Sequence, residues 1–164
     1  MRLYIIIGLI VLIDQISKII IKESMYLGQS IAVAGNFIRL TYVENPGIAF
    51  GIQVGNPFIF TILSLLASIG IIVYMIYHRN GDKILKYGLA IILGGALGNL
   101  IDRIFVQRVV DFVDIGIGNT RWPVFNVADS AVVVGMFVLL YAMIKIEKRT
   151  KEVNSQRIQD NKSE

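Results

Sequence analysis

Asp111 and Asp129 are the residues of this chain best placed to do chemistry. The first stands in RVVDFVD, just past one hydrophobic segment, and the second in VFNVADS, at the mouth of the next. The short connection between them can bring two carboxylates together at one membrane face. An ionisable side chain at a helix centre costs about 2.5–3.5 kcal/mol on insertion scales, and membrane segments keep such residues for function. Two carboxylates about 3 Å apart do not both ionise; they share a proton and titrate as a unit. The ionised member takes a proton from water while the protonated member donates a hydrogen bond to a scissile carbonyl. One residue type then supplies general base and general acid, with no metal or cofactor.

Each aspartate also has a plainer reading. Asn126 can cap a helix with Asp129 three positions later, a variant of the capping box in which the carboxylate gains from the helix dipole. The same dipole favours ionised Asp129, which makes it the candidate base and Asp111 the candidate acid. No local role is visible for Asp111, since VVDFVD is an apolar, strand-like stretch. Other catalytic chemistries find little material. The chain has no cysteine and a single histidine, His78 in YHRNGDK, which reads as a solvated loop residue between two apolar segments. HExxH and any His cluster for zinc are therefore absent from the sequence.

Two further groups of polar residues lie inside apolar segments. Asp14 and Lys18 are four apart, the favourable order for an intrahelical pair, and their first reading is structural, with substrate contact as the alternative. GGALGNLIDR holds Gly94 and Gly98 in a GxxxG spacing that lets helices approach closely. It also places Asn99 and Arg103 on one face, where an amide and a guanidinium can hold a peptide carbonyl or a phosphate group. Headgroup snorkelling by Arg103 and helix gluing by Asn99 are the alternatives.

The elements that must position these residues are membrane helices. With 164 residues and 55% hydrophobic content, the chain fits one compact membrane domain over 1–150. Four segments, near 3–21, 57–77, 84–104 and 124–144, approach the ~20 residues needed to cross a bilayer. The first lacks a small-residue cleavage site and reads as a retained helix. The chain's formal charge of +4 arises from residues around the apolar segments and not from a basic stripe with interleaved aromatics, which argues against nucleic acid. Arg2, Arg79, Lys83, Lys86, Lys145, Lys148, Arg149 and Lys151 cluster at the segment ends that the positive-inside rule places in the cytoplasm, with both termini. Between the first two helices, FIRLTYV alternates like a strand and ENPG marks a turn before IAFGI, so a small sheet on the outer surface is expected. The polar stretch 151–164 is expected to be a disordered cytoplasmic tail. No internal repeat is visible.

Five motifs in this order and spacing, DQISK, ENPGIAFG, GGALGNLIDR, VVDFVD and FNVADS, resemble the signal peptidase II family of bacterial lipoprotein signal peptidases. The resemblance runs through nearly the whole chain. It implies a mainly α membrane protein with four transmembrane helices and an outer β-cradle. The implied activity is an aspartic endopeptidase of the cytoplasmic membrane, with its site near the outer face, cleaving prolipoproteins before a diacylglyceryl-modified cysteine. It further implies that Asp111 and Asp129 are catalytic. Asp14, Lys18, Asn45, Gly47, Gly98, Asn99, Arg103, Asn126 and Ala128 are implied to bind substrate or support the site. Membrane lipids and globomycin-type inhibitors are the other implied partners. Two rival readings stand beside it: a small proton-coupled transporter or channel subunit, which should keep its acids near the midplane, and a non-enzymatic assembly subunit that uses GxxxG for packing.

Overall fold

The structure, a computed structural model, describes residues 1–49, 52–53, 57–118 and 120–163. The described residues form four helices and two small antiparallel sheets. In chain order they are α1 (Arg2–Ser24), β1 (Ser30–Ala34), β2 (Ile38–Asn45), β3 (Ile48–Ala49), β4 (Ile52–Gln53), α2 (Pro57–Tyr77), α3 (Lys83–Phe105), β5 (Val109–Ile117), β6 (Thr120–Arg121) and α4 (Val127–Ser163). All four helices are long and apolar enough to cross a membrane. The local signals that start them are ordinary ones. Pro57 occupies the first position of α2, where its missing N–H costs nothing, and the Asp82 carboxylate caps α3 by accepting from the N–H groups of Ile84 and Leu85 at 2.8 and 3.1 Å.

α3 is the central helix. Half of its most apolar stretch is buried inside the bundle, against 6% for α2, whose large aliphatic side chains face outward as lipid requires. Two stripes of glycine on α3 set the approach of its neighbours. A Cβ on Gly94 would stand 3.0 Å from Ile10 and one on Gly98 2.6 Å from the Asp14 carboxylate, so this stripe receives α1. Gly88 and Gly95 meet Leu139, Gly135, Ala128 and Val132 of α4 instead. The close approach anticipated for GxxxG is thus made twice, on two faces of one helix. The contacts also fix direction: Ile10 against Gly94, Asp14 against Gly98 and Lys18 against Asp102 advance together, so α1 and α3 are parallel, whereas α4 runs antiparallel to α3.

The sheet expected between the first two helices is four-stranded, in the order β1-β2-β5-β6, with every pairing antiparallel. It rests on the C-terminal end of α1 through a small apolar core of Ile21, Met25, Tyr42, Val110 and Phe112. The strand read from FIRLTYV is β2, but a register irregularity between Leu40 and Val43 interrupts its alternation. β3 pairs with β4; of the IAFGI segment, Phe50 and Gly51 lie outside the described residues.

At its start and its end, α4 departs from its expected bounds. It begins at Val127 and not at 124, because Phe125 is tied to Val113 of β5 by backbone hydrogen bonds in both directions, at 2.7 and 3.0 Å. Beyond residue 150, where polar composition suggests a disordered tail, the helix continues to Ser163. Extending an existing helix needs no new nucleus, and this stretch lacks Gly and Pro and is rich in good helix formers, with a Lys151–Glu147 pair at i, i+4.

Candidate active site

The site forms where α3 ends, β5 begins and α4 begins. From α3, the turn through Gln107, in the left-handed region at φ 59°, brings β5 back beside the helix. From β5, the Val113–Phe125 bridge carries the chain to the first turn of α4. Asp111 and Asp129 therefore line one cavity of about 340 Å³, together with Asn45, Gly47, Phe60, Arg103 and the Trp122–Phe125 segment.

Three asparagines serve the two carboxylates, and each is held by its own carbonyl oxygen. Asn45 Oδ1 accepts from the Gly47 N–H at 2.9 Å, which turns its amide nitrogen to Asp111 Oδ2 at 3.0 Å. Asn126 Oδ1 accepts from the Asp129 N–H at 2.9 Å, leaving its nitrogen to donate to Asp111 Oδ1 at 2.7 Å. Asn99 Oδ1 accepts from the Lys18 ammonium at 2.9 Å, so its nitrogen donates to Asp129 Oδ1 at 2.7 Å. In all three cases the hydrogen-bond network decides which way the amide faces. The Asn126 N–H also donates to Asp129 Oδ2 at 3.2 Å, completing the reciprocal cap anticipated from VFNVADS. Asp129 is thus both the cap partner and a cavity wall. The two readings of this residue coexist.

Asp111 is 3% exposed and, among the described residues, its direct hydrogen-bond partners are the neutral amides of Asn45 and Asn126. Burial pushes its carboxyl up to about 7, and the charge of Asp129 adds to the rise; the amides of Asn45 and Asn126 and the more distant Lys18 oppose it. A carboxyl raised toward neutral pH thus shares the cavity with one that caps the first turn of α4.

Asp14 and Lys18 lie beneath this pair and not in the cavity wall. Lys18 is buried and bridges Asp14 at 2.8 Å and Asp102 at 2.9 Å. Asp14, fully buried, also accepts the Ala128 N–H at 2.9 Å, joining α1 to the first turn of α4. A methyl on Gly98 would displace that carboxylate, and Ala128 has no exposed surface for anything larger. The structural reading of the Asp14–Lys18 pair is therefore the one the geometry supports. Gly47 needs its lack of a side chain twice over, at φ 110° and with the Phe60 ring where a Cβ would go. Arg103 lines the cavity as well, with its Nη1 donating to Ser64 Oγ at 3.0 Å.

Sequence reasoning missed Asp102 and Gln15. The Asp102 carboxylate binds Lys18, the Gln15 amide at 3.1 Å and the Val110 N–H at 3.2 Å, while its backbone oxygen takes the N–H groups of Val106 and Gln107. It pins the end of α3 to the strand that carries Asp111. Its signal was present as two matching ladders, Ile10, Asp14, Lys18 and Gly94, Gly98, Asp102, each in steps of four.

Residues 6–145 match the family described as Signal peptidase (SPase) II. The chain belongs to that family. It is 42% identical over 149 residues to the lipoprotein signal peptidase of Bacillus pumilus, covering 91% of this chain and 96% of that one. The lipoprotein signal peptidase of Syntrophus aciditrophicus is 40% identical over 146 residues, covering 86% and 91%. Two solved bacterial membrane enzyme structures, determined by the in meso method at 2.3 and 1.9 Å resolution, superpose with TM-scores of 0.80 and 0.79 at 32% identity. Each covers 88% of this chain, and 88% and 93% of its own. The protein is a membrane peptidase of the signal peptidase II family, and nothing in its relatives favours a transporter.

Proposed function

We propose that this enzyme removes signal peptides from prolipoproteins, cutting before the diacylglyceryl-modified cysteine, with Asp111 and Asp129 as its catalytic pair. The observation that carries the reading is the shared cavity in which a neutral-leaning carboxyl and a helix-capped carboxylate face the same space, each oriented by asparagine amides. Asp129 takes a proton from a water molecule as that water attacks the scissile carbonyl. Asp111, protonated, donates its hydrogen bond to the carbonyl oxygen and gives up its proton as the tetrahedral diol forms. On collapse, Asp129 passes its proton to the leaving nitrogen and Asp111 recovers one from the diol hydroxyl. Arg103 and the edges of the cavity at Phe60 and Trp122 would hold the peptide and acyl portions of a substrate that enters sideways from lipid. Asn45, Asn99 and Asn126 orient the pair, while Asp14, Lys18, Gly98 and Ala128 hold the scaffold below it.

The basic end residues support an orientation with both termini in the cytoplasm and the dyad near the outer face. Cysteines introduced at Asn80 and Ser155 should then be shielded from an impermeant thiol reagent in intact cells, and one at Gln29 should label. Labelling at Asn80 would reverse the assignment. The function itself is tested by incubating the purified protein with a lipidated prolipoprotein peptide and its unlipidated form. Release of a fragment beginning at the lipidated cysteine is the expected product; equal cleavage of both substrates, or of neither, would overturn the reading.

A further inference from the structure

At the end of the bundle opposite the dyad, α1, α2 and α3 enclose a second cavity of about 330 Å³. Its wall is apolar, formed by Leu3, Ile7, Ile72, Met75 and Leu93, and its rim carries Arg79 and Lys86. Lys86 also borders an adjoining cavity of about 250 Å³ with Arg2 and Lys83. Among the described residues lining these two cavities there is no acid. The nearest in sequence, Asp82, is occupied in capping α3. Lys86 donates to the Arg79 backbone oxygen at 2.7 Å, which holds its ammonium beside the turn that carries the guanidinium. Seven residues of α3 separate Lys86 from Leu93, so the apolar wall descends about 10 Å from the charged rim toward the bilayer centre.

We infer that this groove is a binding site for an anionic phospholipid, with the phosphodiester on Arg79 and Lys86 and an acyl chain along Ile7, Ile72 and Leu93. Each half of the site calls for one half of such a molecule. A soluble anion would satisfy the cations and leave the apolar wall open; a zwitterionic lipid would fill the wall but set its own cation against the basic rim. The neighbouring side chains Tyr4, Ile76 and Tyr77 are exposed as lipid-facing residues are, so the groove opens to the bilayer and not to another protein element. A basic pocket between membrane helices gains about 1 kcal/mol for each Lys or Arg near an anionic surface, a factor of about five in affinity.

The test is retention of short-chain phosphatidylglycerol by the full-length protein in detergent, counted by native mass spectrometry against phosphatidylcholine and inorganic phosphate. The wild type should retain phosphatidylglycerol preferentially. Arg79→Gln and Lys86→Gln should each weaken that retention about fivefold and together about twenty-five-fold, with phosphatidylcholine unaffected. Ile72→Trp keeps every cation but fills the groove and should weaken retention comparably, which covers the case in which the double variant fails to fold. Turnover by these variants on a detergent-solubilised substrate should be unchanged, separating this site from the dyad. Equal retention of both lipids by the wild type, retention unaltered in Ile72→Trp, or displacement of the lipid by inorganic phosphate at matched concentration would overturn the assignment.

Discussion

Strand β5 carries two aspartates three residues apart, and they have opposite fates. Asp111 and Asp114 are 3% and 5% exposed, so surface exposure does not separate them, although Asp111 lies deeper in the protein. Their partners do. Asp114 also feels burial, yet the Arg121 guanidinium at 2.5 Å, the Thr41 hydroxyl at 2.7 Å and the charge of Arg39, its register partner on β2, hold its carboxyl below the usual range. Asp111 is given amides where Asp114 is given a guanidinium, and its carboxyl is pushed up to about 7. A strand turns residues at odd spacing to opposite faces. One face of β5 thus receives a structural ion pair and the other a titratable acid, and residue type says nothing about which is which.

Substitution should expose that difference first. Asp111→Asn and Asp129→Asn are each expected to lower kcat by at least about 10³-fold while the protein still folds and inserts, because either change removes both proton roles. The double variant should be no worse than either single one; a further large loss would mean that the carboxylates act independently. Asp114→Asn should show the reverse pattern. It leaves Arg121 without its carboxylate and should cost about 1–3 kcal/mol in denaturant unfolding while keeping kcat within about threefold.

The two aspartates should also pull stability in opposite directions with pH. A carboxyl raised on folding holds a proton that the unfolded chain has lost, so Asp111 makes stability fall as pH rises from about 4 to about 7, by up to about 1.4 kcal/mol per unit. A carboxyl lowered on folding does the opposite: the contribution of Asp114 is present above its unfolded pKa near 4 and is lost as pH falls below it. Unfolding measured from pH 3 to 8 should therefore lose its neutral-range slope in Asp111→Asn and its acid-range slope in Asp114→Asn. If the same slope disappears in both variants, the contrast between the two ends of the strand is wrong.

The arginines at the two ends extend the contrast. Arg121 is locked by Asp114 through its side chain and backbone and by the Asn36 carbonyl. Arg103 has Ser64 as its hydrogen-bond partner among the described residues and turns toward the cavity. Arg103→Lys should keep the fold and lose about tenfold in kcat/KM, because a point charge does not replace a planar fork at a defined site. Arg121→Lys should cost about 1 kcal/mol of stability and leave turnover alone. Near-native turnover in Arg103→Lys would return that residue to headgroup snorkelling.

What the sequence revealed, it revealed locally. The four helices could be placed from hydrophobic length, β2 from alternation, and the Asn126–Asp129 cap from a spacing of three, because each signal lies within one element. Asp102 escaped because its partner Lys18 is 84 positions away, and only the parallel packing of α1 on α3 makes their two ladders coincide. The ion pair that sets Asp114 apart from Asp111 escaped for the same reason, since VVDFVD contains neither the guanidinium nor the amides that divide them. The continuation of α4 past residue 150 escaped differently: composition predicts what a segment does alone, and this one extends a helix already formed.

The finest division lies within the amides of Asp111. Asn45 is the donor contributed by the sheet, and its hydrogen bond favours the ionised carboxyl; Asn126 donates from the other side and also caps α4. Removing only the first, in Asn45→Ala, takes away a contact worth about 1 kcal/mol without disturbing the cap. The Asp111 carboxyl should then rise further, by up to about one pH unit. Because the proposed mechanism needs Asp111 protonated, wild-type activity should fall as pH climbs past about 7. In Asn45→Ala that alkaline limb should move upward, so the ratio of activity at pH 8 to activity at pH 6 should increase even as the maximum rate drops. A limb that moves downward would mean that the proton sits on Asp129 and that the roles of acid and base are exchanged. A limb that stays in place would mean that Asn45 holds substrate and does not tune the carboxyl.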